Sequence, residues 1–194
     1  MKKNIIFDIG GIFFDDRNQK ITEKYGISTA QKRKILSENS FHDCLLGNIR
    51  VKDYIEKFHG TEYYAFAKEA LSPDNYQNSL PPIREVIELV PKLGKYNLYL
   101  LSNNIPESAE YLYSLVPKKY FAGHIFSFEE HLMKPDPAIY KLLLERYNLE
   151  PDECIFFDDR ERNVLAARKL GIDSIIVSEP AVILEYFRDE NLPD

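Results

Sequence analysis

Asp8 stands near the end of an apolar run, Asn4–Ile9, and is followed at once by Gly10 and Gly11. Ser102 and Asn103 close a second apolar run, and Lys134 precedes the pair Asp136-Pro137. Asp158 and Asp159 close a third run that contains Ile155–Phe157. These residue types have definite uses. A carboxylate can attack an electrophile and hold it covalently, and a pair of acids can bind a hard cation through oxygen. A lysine or a hydroxyl can hold an anionic group, and glycines let backbone amides approach a phosphate closely. Each cluster by itself also has a plain structural explanation. Asp8 or Ser102 could cap a following helix, Lys134 could be a solvated charge, and Asp158-Asp159 could form an acidic turn. Together, in this order and each beside an apolar run, they are better explained as parts of one site.

The elements that must position them follow from the hydrophobic pattern. Asn4–Ile9, Leu98–Leu101, Ile125–Phe128, Ile155–Phe157 and Ser174–Val177 read as buried strands, apolar on successive residues rather than alternating. Between them, Ile83, Val86, Ile87 and Val90 have helical spacing. Asp136-Pro137 reads as an N-cap with proline at the first helical position, opening a helix to about Tyr147. Gly171 is placed to end a helix that begins near Glu161. This alternation implies an α/β fold, a doubly wound and mostly parallel sheet. The carboxyl ends of such strands line the ligand crevice, so the polar clusters can converge there.

From residue 16 to 81 the alternation stops. Ser28 with Gln31 forms a capping box, and Val51, Tyr54, Ile55 and Phe58 make an apolar stripe. Tyr63, Tyr64, Phe66 and Tyr76 add aromatic bulk suited to packing between helices, and Pro81-Pro82 punctuates the return to α/β alternation. The expected division is a core of residues 1–15 and 82–194 with a small all-helical cap, 16–81, inserted after the first strand.

Composition narrows the partners. The 194 residues are 44% hydrophobic and 29% charged, with a net charge of −6. An acidic surface repels nucleic acid and anionic membrane, and no apolar run approaches a transmembrane length. The apolar stretch after Lys2 and Lys3 stops at Asp8, too short for a signal peptide. Cys44 and Cys154 make neither a disulfide framework nor a metal cluster. A reduced, cytoplasmic location is expected. His42, His59, His124 and His131 lack metal-ligand spacing; only His42 is a candidate for substrate contact, and exposure is the expectation there too.

Phe7-Asp8-x-Gly10, Leu101-Ser102-Asn103, Lys134-Pro135-Asp136 and Phe156-Phe157-Asp158-Asp159, with Asn163 four positions on, resemble the four motifs of the haloacid dehalogenase superfamily. The resemblance covers the whole chain. More narrowly, it is to the branch containing bacterial glucose-1-phosphate phosphatases and the N-terminal phosphatase domain of soluble epoxide hydrolases. Phe41-His42 and Gly47-Asn48-Ile49 in the insertion resemble that branch as well. The resemblance implies a Mg²⁺-dependent phosphatase acting on a small phosphorylated metabolite, a sugar phosphate foremost. Asp8 is then the nucleophile, forming an aspartyl-phosphate, with Lys134 bridging it to the phosphoryl oxygens. Ser102, Asn103, Gly10 and Gly11 bind the phosphoryl group. Asp8, the Gly10 carbonyl and Asp159 hold Mg²⁺, and Asp158 holds a metal-bound water or orients the other ligands.

One position departs from the pattern. Most phosphatases of the superfamily carry a second aspartate two residues after the nucleophile, where this chain has Gly10. Leaving-group protonation then becomes the weak step, unless Asp15, Asp16 or a water substitutes. Two other functions compete. A haloacid dehalogenase would use Asp8 to attack carbon, which needs no Mg²⁺ and leaves Asp158-Asp159 unexplained. A phosphate-binding signalling module of the receiver type would carry its acidic pair on the first strand and no helical insertion. No motif sets the oligomeric state.

Overall fold

In the computed structural model, residues 2–16, 19–37 and 39–188 are described. Among the described residues, β1 (Asn4–Phe7) comes first and is followed by a series of short helices. These are α1 (Lys20–Lys24), α2 (Thr29–Leu36), α3 (His42–Leu45), α4 (Val51–Glu56), α5 (Tyr64–Ala70) and α6 (Tyr76–Ser79). Strand–helix alternation follows: α7 (Arg84–Leu89), β2 (Asn97–Ser102), α8 (Pro106–Leu115), β3 (Gly123–Phe126), α9 (Ser127–Glu130) and α10 (Pro137–Tyr147). The chain closes through β4 (Cys154–Asp158), α11 (Glu161–Arg168), β5 (Asp173–Ile176) and α12 (Ala181–Tyr186).

The five strands form one sheet in the order β3-β2-β1-β4-β5, and every pairing is parallel. Both faces are covered, which is why the central strands are continuously apolar over residues 5–7, 98–101 and 154–157. Ile5 and Phe7 point into one core with Leu100 and Phe157, while Ile6 points into the other with Leu101, Phe156 and Tyr140 of α10. The chain leaves β1 toward β2 and β3, then returns to place β4 on the opposite side. The switch point therefore falls between β1 and β4, where a doubly wound sheet opens its crevice.

Local signals agree with the elements they mark. The Asp136 carboxylate accepts from Ala138 N–H at 2.8 Å and opens α10. Ser28 and Gln31 form both halves of the capping box on α2. Gly171 adopts a left-handed φ of 83° just past α11. Three strand expectations ran past the strand ends, that of β5 by Val177 alone. β1 ends at Phe7, because Ile9–Phe13 folds into a turn in which Phe13 N–H reaches back to the Ile9 carbonyl. β3 ends at Phe126, because the Ser127 hydroxyl accepts from Asn104 N–H and Ser127–Glu130 coils into α9.

The helical segment builds clusters of its own. Phe41, Cys44, Val51 and Tyr54 pack together, and Ile105 from the β2–α8 loop joins them. A second cluster gathers Ile21, Ile35 and Phe66. Contacts tie the segment to the sheet end that carries the polar clusters. His131 Nδ1 is 2.7 Å from the Leu46 carbonyl oxygen. Gly47, at φ 71°, lies so near the Phe128 carbonyl that a Cβ would come within 2.3 Å of its oxygen. His42 is exposed, and both cysteines are buried and unbridged. Among the described residues no helix is long and apolar enough to cross a membrane.

Candidate active site

The strand register sets the site. Phe7 pairs with Leu100 on one side and Phe157 on the other, so residues 8, 101–102 and 158–159 leave the sheet at one level. Asp8 is buried, and its Oδ1 accepts from Ile9 N–H at 2.7 Å.

Lys134 sits at the centre with 1% of its surface exposed. Its Nζ lies 2.8 Å from Asp8 Oδ1 and 2.7 Å from Asp158 Oδ2, and it donates to the Leu101 carbonyl at 2.8 Å. A buried ammonium needs this many acceptors to offset desolvation. The Asn103 amide holds the lysine backbone from both sides, donating to Lys134 O and accepting from Lys134 N–H, each at 2.8 Å. The side-chain clamp is a contact that sequence spacing does not reveal.

Asp158 is fully occupied. Oδ1 accepts from Arg160 N–H at 2.8 Å and from Asn163 Nδ2 at 3.1 Å, while Oδ2 accepts from Lys134 and from Asn163. Burial raises its pKa, and the Lys134 charge opposes that rise. Tyr140 fixes the far side of this network by donating to the Asn163 carbonyl at 3.0 Å.

Asp159 contrasts with its neighbour. Its Oδ1 is buried without a hydrogen-bond partner, and Arg160 Nε stands 3.8 Å away. Burial, followed by the negative charges of Asp8 and Asp16, pushes its carboxyl up to about 7. Ligand oxygens of Asp8, Asp158 and Asp159 all lie within 4.8 Å of one another. Three converging carboxylates, one with a buried orphan oxygen, suit a hard divalent cation.

The two glycines have different roles. Gly11 has φ 71°, and a Cβ there would come within 2.7 Å of Asp159 Cγ, so its bare backbone is what lets Asp159 sit where it does. Gly10 is outside the left-handed region, and a Cβ there would find Asp16 Oδ2 at 3.4 Å, an ordinary contact. Close approach therefore requires glycine at 11 but not at 10.

A cavity of about 210 Å³ opens beside Gly10, Ser102 and Asn103 and runs between apolar walls that include Ile21, Leu36 and Phe41. Asp16 and Lys32 supply charge at its lining, and Lys32 Nζ donates to the Asp16 carbonyl at 3.1 Å.

A family model described as haloacid dehalogenase-like hydrolase matches residues 2–171. The chain belongs to this hydrolase family. A phosphorylated carbohydrates phosphatase from Thermotoga maritima is 30% identical over 182 residues, covering 88% of this chain and 82% of its own. A D-ribitol-5-phosphate phosphatase from Bacteroides thetaiotaomicron is 25% identical over 191 residues, covering 90% of this chain and 91% of its own. The crystal structure of a haloacid dehalogenase family enzyme from Bacteroides thetaiotaomicron, in complex with magnesium and inorganic phosphate, superposes with a TM-score of 0.69 at 22% identity. That match covers 91% of this chain and 94% of the other, and it is a likeness of fold.

Proposed function

We propose that this hydrolase is a Mg²⁺-dependent phosphatase that transfers the phosphoryl group of a small ester to Asp8 and then to water. The observation that carries the reading is Lys134, buried between the Asp8 and Asp158 carboxylates beside the orphaned Asp159 oxygen. Asp8 Oδ1 already serves Ile9 N–H and Lys134, which leaves its other oxygen to attack phosphorus. Lys134 also spreads positive charge toward the phosphoryl oxygens. The Ser102 hydroxyl, Asn103 N–H and the Gly10 and Gly11 backbone complete the phosphoryl subsite.

Phosphate esters are anions, and the surrounding carboxylates would repel them. Mg²⁺ bound by Asp8, Asp159 and the Gly10 carbonyl would neutralise that charge. Asp158, whose oxygens are both taken, suits orientation of Lys134 and of a metal-bound water. Positioning and charge compensation are the main demands of phosphoryl transfer.

The helical segment, 16–81, acts as a cap in this reading, because its side chains wall the cavity where the leaving group goes. At about 210 Å³ that cavity is smaller than the roughly 300–1,000 Å³ of drug-sized sites, which favours a small metabolite. The activities named for the two relatives support a sugar or polyol phosphate. A dehalogenase, attacking carbon, would leave the acidic cluster without a task.

The test is a panel of phosphate esters assayed with Mg²⁺ and with EDTA, on wild type and Asp8→Asn. Turnover should require Mg²⁺ and vanish in the variant, and acid-quenched wild type should carry phosphate on Asp8. Retained activity in Asp8→Asn would replace covalent transfer with direct attack by water.

A further inference from the structure

Phosphoryl transfer to Asp8 expels an alkoxide, which needs a proton to leave as an alcohol. The acidic groups closest to the reaction are committed elsewhere. Asp8 is the nucleophile, Lys134 and Asp158 are bound to each other inside the sheet end, and Asp159 faces the cation position. The leaving group must occupy the cavity that begins at Gly10, Ser102 and Asn103, since in-line displacement puts it opposite Asp8. Among the described residues lining that cavity, Asp16 is the carboxylate.

Its placement is specific. The turn after β1 doubles back, with Gly11 N–H donating to the Phe14 carbonyl and Asp16 N–H donating to the same oxygen. This brings Asp16 Oδ2 to 3.4 Å from where a side chain on Gly10 would begin. Lys32 of α2 holds the Asp16 backbone from the helical segment, and Arg160 Nη2 approaches Oδ2 at 4.0 Å. Asp15, one residue earlier, donates its N–H to Pro81 and is not part of the cavity lining.

We propose that Asp16 is the general acid and base of this active site, its carboxyl reaching over the bare Cα of Gly10 to the leaving-group oxygen. The proposal rests on the phosphatase reading above. In the first step an Asp8 oxygen bonds to phosphorus, the ester P–O bond breaks, and the departing oxygen takes the proton of the Asp16 carboxyl. In the second, the Asp16 carboxylate takes a proton from water as that water's oxygen bonds to phosphorus. The Asp8 P–O bond breaks, inorganic phosphate leaves, and both aspartates return to their starting states.

The experiment compares kcat/KM for phosphate esters of graded leaving-group pKa, from 4-nitrophenyl to simple alkyl, in wild type, Asp16→Asn and Asp15→Asn. Wild type should depend weakly on the leaving group. Asp16→Asn should lose about 10²–10⁴-fold on alkyl esters and less than about tenfold on 4-nitrophenyl phosphate, so the series becomes steep. Asp15→Asn should follow wild type. The alkyl-to-aryl ratio within one variant is unaffected by the fraction of protein folded, so partial misfolding cannot mimic the result. Equal loss on all esters in Asp16→Asn, or a steep series in Asp15→Asn instead, overturns the assignment while leaving the phosphatase reading intact. Wild type inert toward every ester with Mg²⁺ present overturns both.

Discussion

Lys134 Nζ and Asp158 Oδ2 lie 2.7 Å apart, and neither side chain is exposed to solvent. The ion pair is a brace under the proposed active site as much as a part of it, since the same ammonium reaches Asp8. Removing one member of a buried pair leaves the other uncompensated.

Lys134→Met should therefore destabilise the fold by about 3–5 kcal/mol as well as abolish turnover. Urea unfolding of the variant against wild type reads this directly. A loss below about 1 kcal/mol, the range of a surface ion pair, would mean that the carboxylates find other partners.

Gly10 and Gly11 should respond oppositely to alanine. Gly11→Ala places a Cβ against Asp159 in a left-handed backbone, which costs roughly 1–2 kcal/mol for the conformation and displaces a proposed metal ligand. Gly10→Ala meets one ordinary contact and should keep its stability and Mg²⁺ affinity. Thermal unfolding and Mg²⁺ titration of both variants check the contrast. Equal tolerance at the two positions would contradict it.

Asp159 predicts how Mg²⁺ binding and stability vary with pH. Its carboxyl is pushed up to about 7 in the folded protein, against about 3.9 in an unfolded chain. Between those values the folded state binds the extra proton, so this group's contribution to stability is present at low pH and is lost as pH rises through the window. In the proposed site Mg²⁺ would bind this carboxylate and would have to displace that proton. The rise in melting temperature caused by Mg²⁺ should therefore be small at pH 5.5, large at pH 8, and mostly absent in Asp159→Asn. A shift independent of pH, or one that survives the substitution, would place the cation elsewhere.

Cys44 should be inert. Burial pushes its thiol up to about 12, so almost none is thiolate at pH 8. Native protein should resist alkylation by iodoacetamide for hours and react promptly once unfolded in urea. Rapid labelling of the native state would show that its cluster opens readily.

Much of this protein is legible one residue at a time. The strands announce themselves because both faces of a parallel sheet are covered, which makes residues 5–7 and 154–157 continuously apolar. The Asp136 and Ser28 caps are local, involving backbone groups only two or three residues away. Asp8 and Asp159 could be singled out because each carries a carboxylate just past an apolar run, and Lys134 because it stands just before the capped start of α10.

Tertiary structure decided the rest, through contacts that span long stretches of chain. That Lys134 is buried rather than solvated depends on Leu101 and Asp158, 33 and 24 residues away. Asp158 and Asp159 are adjacent in sequence, yet one is saturated with hydrogen bonds and the other keeps an orphan oxygen, because successive residues at a strand end face different surroundings. The choice between Asp15 and Asp16 was likewise beyond sequence. It turns on how the loop after β1 folds back over Gly10, a geometry set by Phe14, Pro81 and a lysine from a separate helix. Composition and spacing identify which groups are available; only the packed chain determines which of them share a volume of a few ångströms, and charge and proton transfer depend on that proximity.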